Sequence, residues 1–151
     1  MKVVLYQEND LLGKLIKFFT RGTYVHCSII LPDNTVIDAK PFHGVVKHNC
    51  LNDTIKKDAI ITLFDVQTTS DQDIIIIDFL NRQIGKKYDW WSVFGFILYT
   101  TEEGRKSYNK WFCSELIFAT FNKVNISLLE RAEAWKMSPT TLSYSSKLIS
   151  I

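Results

Sequence analysis

The hydrophobic pattern changes about half-way along this chain of 151 residues, and that change limits the folds open to it. The first half has short segments rich in β-branched and aromatic residues, separated by turns, which is typical of strands. The second half has longer segments with apolar residues at helical spacing. Strands followed by helices predict an α+β fold, in which an antiparallel sheet packs against helices with a cleft between them. The length fits a single domain, residues 1–151.

The predicted strands lie in the first half. They cover residues 2–6, 24–31, 35–39 and 59–66, and residues 44–46 could extend the sheet after a bend at Pro41. The predicted helices cover residues 10–20, 70–84, 90–99 and 111–123, and Ser138-Pro139-Thr140-Thr141 is typical of a further helix start. For the first helix we expect Asp10 as N-cap, Gly22 as its end, and an inward stripe of Leu11, Leu12, Leu15, Ile16 and Phe19. For the second we expect Ser70 as N-cap and Gly85 as C-cap.

Composition excludes several classes of function. The formal charge of +2, with no run of like charges, argues against a nucleic-acid partner. The longest apolar run is too short to span a bilayer, and no signal peptide is recognisable. We therefore expect a cytoplasmic protein, or one released by lysis or delivered by another machine. The odd number of cysteines favours free thiols. No CxxC or HxxxH spacing is present, so we expect no metal site.

Cys113 is the strongest candidate for a reactive group. It lies at the predicted start of a helix, where free backbone N–H groups and the positive end of the dipole stabilise a thiolate. Its position between Phe112 and Leu116 also fits a small core residue. Cys50 has no helix start near it and is the weaker candidate.

A base for this thiol could come from the strand at residues 24–31. Alternation places Val25, Cys27, Ile29 and Leu31 on the core face and His26 on the other, which excludes Cys27 as a partner of His26. If the hairpin loop comprises residues 32–34, His26 and Asp38 become diagonal neighbours on one face. A two-residue loop would separate them. Asp38 could also be a simple solvated residue. Thiol, imidazole and carboxylate are the nucleophile, base and orienter of acyl-transfer enzymes.

These residues carry a resemblance to a known family. The chain resembles the circularly permuted branch of the NlpC-like, papain-like cysteine hydrolases, which includes YiiX-like proteins and lecithin–retinol acyltransferase. In that branch the histidine strand precedes the cysteine helix, as it does here. Four segments match: YVHCSI at residues 24–29, VIDA at 36–39 with Gly44-Val45, IGKKYD at 84–89, and FCSEL at 112–116.

The resemblance implies a permuted papain-like fold with Cys113 as nucleophile, His26 as base and Asp38 as orienter. It also implies that Tyr88 helps to hold the oxyanion beside the backbone N–H of Cys113, although Tyr88 could instead pack at a helix end. We expect no metal or organic cofactor and a peptide or acyl-containing substrate, with amide bonds of cell-wall-type peptides as the leading class. Two alternatives stay open. One is a lipid-directed acyltransferase or esterase, with residues 90–99 lining an apolar groove, and the other is a binding module that lacks catalysis.

Overall fold

The computed structural model describes residues 1–90, 109–130, 132 and 137–151. Its strands are β1 (Lys2–Gln7), β2 (His26–Ile30), β3 (Val36–Lys40), β4 (Gly44–His48), β5 (Ile60–Asp65), β6 (Lys87–Tyr88), β7 (Lys110–Trp111) and β8 (Ile149–Ser150). Its helices are α1 (Leu11–Thr20), a 3₁₀ turn (Leu51–Thr54), α2 (Ser70–Asn81), α3 (Cys113–Asn122) and α4 (Pro139–Leu142). Apart from Trp90, the predicted helix 90–99 lies outside the described residues.

Six strands form one antiparallel sheet in the order β4-β3-β2-β1-β5-β8. On β2 and β3, Ile29 lies opposite Ile37 and Ile30 lies opposite Val36. This is the register that a three-residue loop at 32–34 predicts. Continued along both strands, it places His26 and Asp38 diagonally on one face, so that prediction is confirmed.

Both faces of this sheet are buried. The face that carries Cys27 and Ile29 packs against α3 in the main core, where Leu116, Ile117, Phe118 and Phe121 of α3 are all buried. A smaller cluster of Val4, Tyr6, Ile30 and Val36 covers the opposite face, together with Leu51 and Ile55. The α+β arrangement, strands first and helices second, is therefore confirmed.

A short parallel pair, β6 with β7, brings Tyr88 beside Trp111, two residues before Cys113. This pair is joined to the main sheet through β4. The N–H of Gly85 donates to the carbonyl oxygen of Val45 at 2.9 Å, and the N–H of Val45 donates to the carbonyl oxygen of Lys86 at 2.8 Å. These bonds place β6 against the end of the sheet.

Gly44 makes this attachment possible. Its φ is +74°, which disfavours residues with a side chain, and a Cβ there would lie 2.1 Å from the carbonyl oxygen of Lys86. Only glycine allows the backbone before Tyr88 to approach β4 so closely.

Two predicted helix ends are wrong. The N-cap of α2 is Thr69 and not Ser70, because Thr69 has Gln72 three residues later and the two form a capping box. α2 ends at Asn81, and Gly85 follows only after a turn, with φ +84°.

At α1, Asp10 is the N-cap as predicted, and its side chain accepts from the N–H of Gly13 at 2.7 Å. The left-handed residue that ends α1 is Arg21 and not Gly22. Gly22 is needed for space instead, because a Cβ there would lie 2.3 Å from the hydroxyl oxygen of Thr140.

The predicted inward stripe of α1 is only partly right. Ile16 is buried, but Leu11 and Leu15 are exposed. Successive helical residues are about 100° apart, so Leu15 and Leu11 lie about 100° and 140° around the helix from Ile16. The side chains of Leu12 and Phe19 lie outside the described set. Within the parts of the chain that the structure describes, no helix has both the length and the apolar character needed to cross a bilayer.

Candidate active site

Cys113 is the first residue of α3. Phe112 precedes it in an extended conformation and accepts the first helical hydrogen bond, from the N–H of Leu116 at 3.0 Å. The sulfur therefore lies where the N–H groups of the first turn have no acceptor within the helix. The predicted position at a helix start is confirmed, and the residue is buried.

The structure brings Cys113 and His26 into hydrogen-bonding contact. Burial by itself would raise the pKa of the Cys113 thiol, but hydrogen bonds from Cys27 and the charge and hydrogen bond of His26 lower it to about 5. Burial would lower the pKa of His26, but the Cys113 thiolate and the hydrogen bonds to Asp38 and Cys113 raise it to about 10. Between these values the two groups form a thiolate–imidazolium pair.

Asp38 holds the far side of this imidazole. Its Oδ2 lies 3.0 Å from Nε2 of His26, and its side chain is completely buried. Burial opposes its ionisation, but the hydrogen bond and charge of His26 keep the pKa of Asp38 below its ordinary value. Because Nε2 faces Asp38, the ring nitrogen left for Cys113 is Nδ1.

Two further side chains converge on Asp38, and sequence reasoning missed both. Nε2 of His48 lies 3.3 Å from Oδ1, and Nζ of Lys40 lies 3.8 Å from Oδ2. The signal was present in the β3–β4 register, in which Asp38 faces Val46 and His48 is its diagonal neighbour. To predict this contact from the sequence, the length of the turn at residues 41–43 must be known, because it sets the register of β3 and β4.

The ring of His26 rests on Tyr6, directly opposite it on β1. The ring centroids are 5.2 Å apart. The Tyr6 hydroxyl is held by Ser28 and Thr54, each at 2.7 Å. Burial raises the pKa of Tyr6 to about 12, so this support stays neutral over the range in which enzymes work.

Tyr88 lies on β6, close enough to Cys113 to feel its charge. Its ring packs against that of Phe112 at a centroid distance of 5.9 Å. Burial, and next the negative charge of Cys113, raise its pKa well above the ordinary value. Tyr88 therefore keeps its proton at neutral pH and has an O–H to donate.

The other two cysteines differ from each other in environment. Cys50 is exposed, whereas Cys27 is fully buried next to Cys113; all three thiols are free. Cys27 donates to the sulfur of Cys113 through its thiol and through its backbone N–H. Sequence alternation correctly excluded Cys27 as a partner of His26 but did not predict its contact with Cys113.

Known proteins share the sequence pattern and the fold of this chain. Residues 3–143 match the sequence profile of the permuted papain-like amidases, the YaeF/YiiX or C92 family. The chain belongs to this family. The fold of this family member is similar to the crystal structure of YiiX from Escherichia coli O157:H7, with a TM-score of 0.71 and 14 % identity over 99 % of this chain and 94 % of that one. No curated protein sequence matches it significantly.

The YiiX structure is described as that of a metalloprotein. In residues 1–90, 109–130, 132 and 137–151 of this amidase-family chain, no group of three or more histidine, cysteine or acidic side chains is arranged to hold a metal ion. At the site, Asp38 is already held by two histidines and a lysine, and the sulfur of Cys113 by His26 and Cys27. The described residues therefore do not fit a metal ion.

Proposed function

We propose that this chain is a thiol-dependent amidase that cleaves amide bonds in cell-wall-type peptides through an acyl-enzyme on Cys113. The observation that carries the proposal is the contact between the sulfur of Cys113, at a helix start, and the imidazole of His26, whose far nitrogen rests on a buried carboxylate. Membership of an amidase family supports the reaction class.

In the first step, the Cys113 thiolate attacks the carbonyl carbon of the scissile amide. The carbonyl oxygen becomes an oxyanion, which accepts from the backbone N–H of Cys113 and the hydroxyl of Tyr88. His26 gives its Nδ1 proton to the leaving nitrogen as the C–N bond breaks. The products are a free amine and a thioester on Cys113.

In the second step, neutral His26 takes a proton from water, and the resulting hydroxide attacks the thioester. The C–S bond breaks and the Cys113 thiolate is restored with its imidazolium partner. Asp38 holds the ring so that Nδ1 faces the sulfur in both steps, and the charge of Lys40 adds to that of His26 in keeping the pKa of Asp38 low. No step needs a group from outside the chain other than water.

The experiment compares two substrates and three proteins. A short cell-wall-type peptide amide and a short-chain lipid ester are each incubated with the parent protein, Cys113→Ala and Cys50→Ser. Cys50→Ser is the matched control, because it removes an exposed thiol that has no role in the proposal. We expect amide cleavage by the parent and Cys50→Ser and none by Cys113→Ala.

Other results would change the conclusion. Cys113-dependent cleavage of the lipid ester alone would replace the amidase by the esterase or acyltransferase. Cleavage that survives in Cys113→Ala, or binding of the peptide without cleavage by the parent, would overturn the proposed chemistry.

A further inference from the structure

The proposed reaction needs one thiol, yet the structure places two at the site. Cys27 follows His26 on β2, and alternation turns its side chain to the face that packs on α3. Both Cys27 and Cys113 are buried. The Cys27 thiol and its backbone N–H both donate to the sulfur of Cys113. The two side chains therefore face each other inside the core.

The two sulfurs are in different states. The charge on Cys113 is stabilised by His26, whereas burial and then the neighbouring Cys113 raise the pKa of Cys27 well above the ordinary value. Cys27 thus remains a protonated thiol beside a thiolate. A thiolate with a second thiol within reach is the arrangement in which sulfur oxidation ends as a disulfide.

We propose that Cys27 is the resolving partner of Cys113, and that a hydroperoxide converts the pair reversibly into an intramolecular disulfide. The inference rests on the part of the proposed function that makes Cys113 a thiolate, and is independent of the substrate.

The chemistry balances in two steps. The Cys113 thiolate attacks one peroxide oxygen, the O–O bond breaks, and Cys113 becomes a sulfenic acid while the peroxide is reduced to an alkoxide or hydroxide that takes up a proton. The sulfur of Cys27 then attacks the sulfenic sulfur, the S–O bond breaks, and water leaves with the Cys27 proton and the sulfenic hydrogen. Overall two hydrogens leave the protein. A dithiol reverses the reaction.

Bond formation requires the two sulfurs, which interact within the same buried core, to approach to about 2.05 Å. Cys27 is the second residue of β2, close to the end of the strand. The product removes the thiolate that attracts His26, so it silences the site, and it prevents irreversible oxidation of Cys113 to the sulfinic or sulfonic acid.

Intact and peptide mass spectrometry tests this proposal. The parent protein, Cys27→Ala, Cys27→Ser and Cys50→Ser are treated with hydrogen peroxide at pH 7 and then with dithiothreitol. We expect the parent and Cys50→Ser to lose two hydrogens, to yield a Cys27–Cys113 cross-linked peptide, and to recover fully in dithiothreitol. In both Cys27 variants we expect Cys113 to gain two or three oxygens that dithiothreitol does not remove.

Two different substitutions at position 27 are used, so that the test still stands if one of the variants fails to fold. Alkylation of Cys113 at pH 6 before oxidation shows that each variant keeps the thiolate. The proposal is overturned if Cys113 of the parent gains oxygens as fast as in the Cys27 variants, or if the cross-link contains Cys50. Because the readout is a mass, disulfide formation without amide cleavage would remove the proposed function alone, and cleavage without a disulfide would remove this inference alone.

Discussion

Replacement of His26 by Gln tests the charge pair at the centre of the site. Glutamine keeps a polar side chain on β2 but cannot carry a positive charge. The Cys113 thiolate then loses both the charge and the hydrogen bond of His26, two of the causes that lower its pKa to about 5. The hydrogen bonds from Cys27 remain.

The expected shift follows from general magnitudes. An opposite charge a few ångströms away is worth about 1–3 pKa units, so the pKa of Cys113 should rise to about 8. The thiolate fraction at pH 5 then falls from about one half to about one thousandth. A more basic thiolate is also more nucleophilic, with a slope of about 0.4–0.5, which gives about 20-fold over three units. The variant should therefore react roughly 20-fold more slowly at pH 5 and roughly 20-fold faster at pH 9.

The assay is the rate of alkylation by iodoacetamide from pH 4 to pH 10, followed by intact mass. Both proteins carry Cys50→Ser, which removes the exposed thiol. A folded variant takes up one label, on Cys113, because Cys27 is buried and protonated; a second label would report unfolding. The reasoning would be refuted if the alkylation rates of the two proteins, plotted against pH, never cross. It would also be refuted if the rate of His26→Gln still has its inflection at about pH 5.

Three further predictions concern the same site and its support. Replacement of Asp38 by Asn removes a carboxylate that raises the pKa of His26. That pKa, about 10 in the parent, should therefore fall by about 1–2 units in an NMR titration. An unchanged pKa would contradict the orienting role of Asp38. Folding lowers the pKa of Cys113 from 9.0 to about 5 and raises that of His26 from 6.5 to about 10. Between pH 5 and pH 6.5 unfolding therefore takes up one proton, and stability rises with pH by about 1.4 kcal/mol per unit, about 2 kcal/mol in all. Urea unfolding should show this increase in the parent and not in Cys113→Ser; equal increases would contradict the ion pair. Gly44→Ala and Gly85→Ala both place alanine at positive φ, but only the first meets a backbone oxygen, so it should lose at least about 2 kcal/mol more in urea unfolding; equal losses would show that β6 is not held as described.

Much of the site followed from local patterns. Alternation on one strand and the length of one loop were enough to pair His26 with Asp38, because a strand register has only two outcomes for a face. The helix start at Cys113 followed from the apolar spacing after it. These patterns could not predict that Cys113 lies next to His26. That contact depends on the packing of α3 against β2, and only the family resemblance suggested it.

The errors and omissions have physical causes. Thr69 and Ser70 are both good N-caps, and the choice depends on which one has a partner at its third helical position. His48 approaches Asp38 only through a third strand, so its role depends on a second turn length. Cys27 reaches Cys113 across the sheet–helix interface, and no periodicity of either element encodes that distance.

The most direct test of the account is the site of attack on a trapped substrate. The protein is treated at pH 6 with a short cell-wall-type peptide that ends in a vinyl sulfone, which adds irreversibly to an activated thiolate, and the adduct is mapped by mass spectrometry. We predict one adduct per chain, on Cys113, formed about five-fold more slowly in His26→Gln and absent in Cys113→Ala. An adduct on Cys50 alone, or equal rates in the parent and His26→Gln, would contradict a Cys113 nucleophile activated by His26.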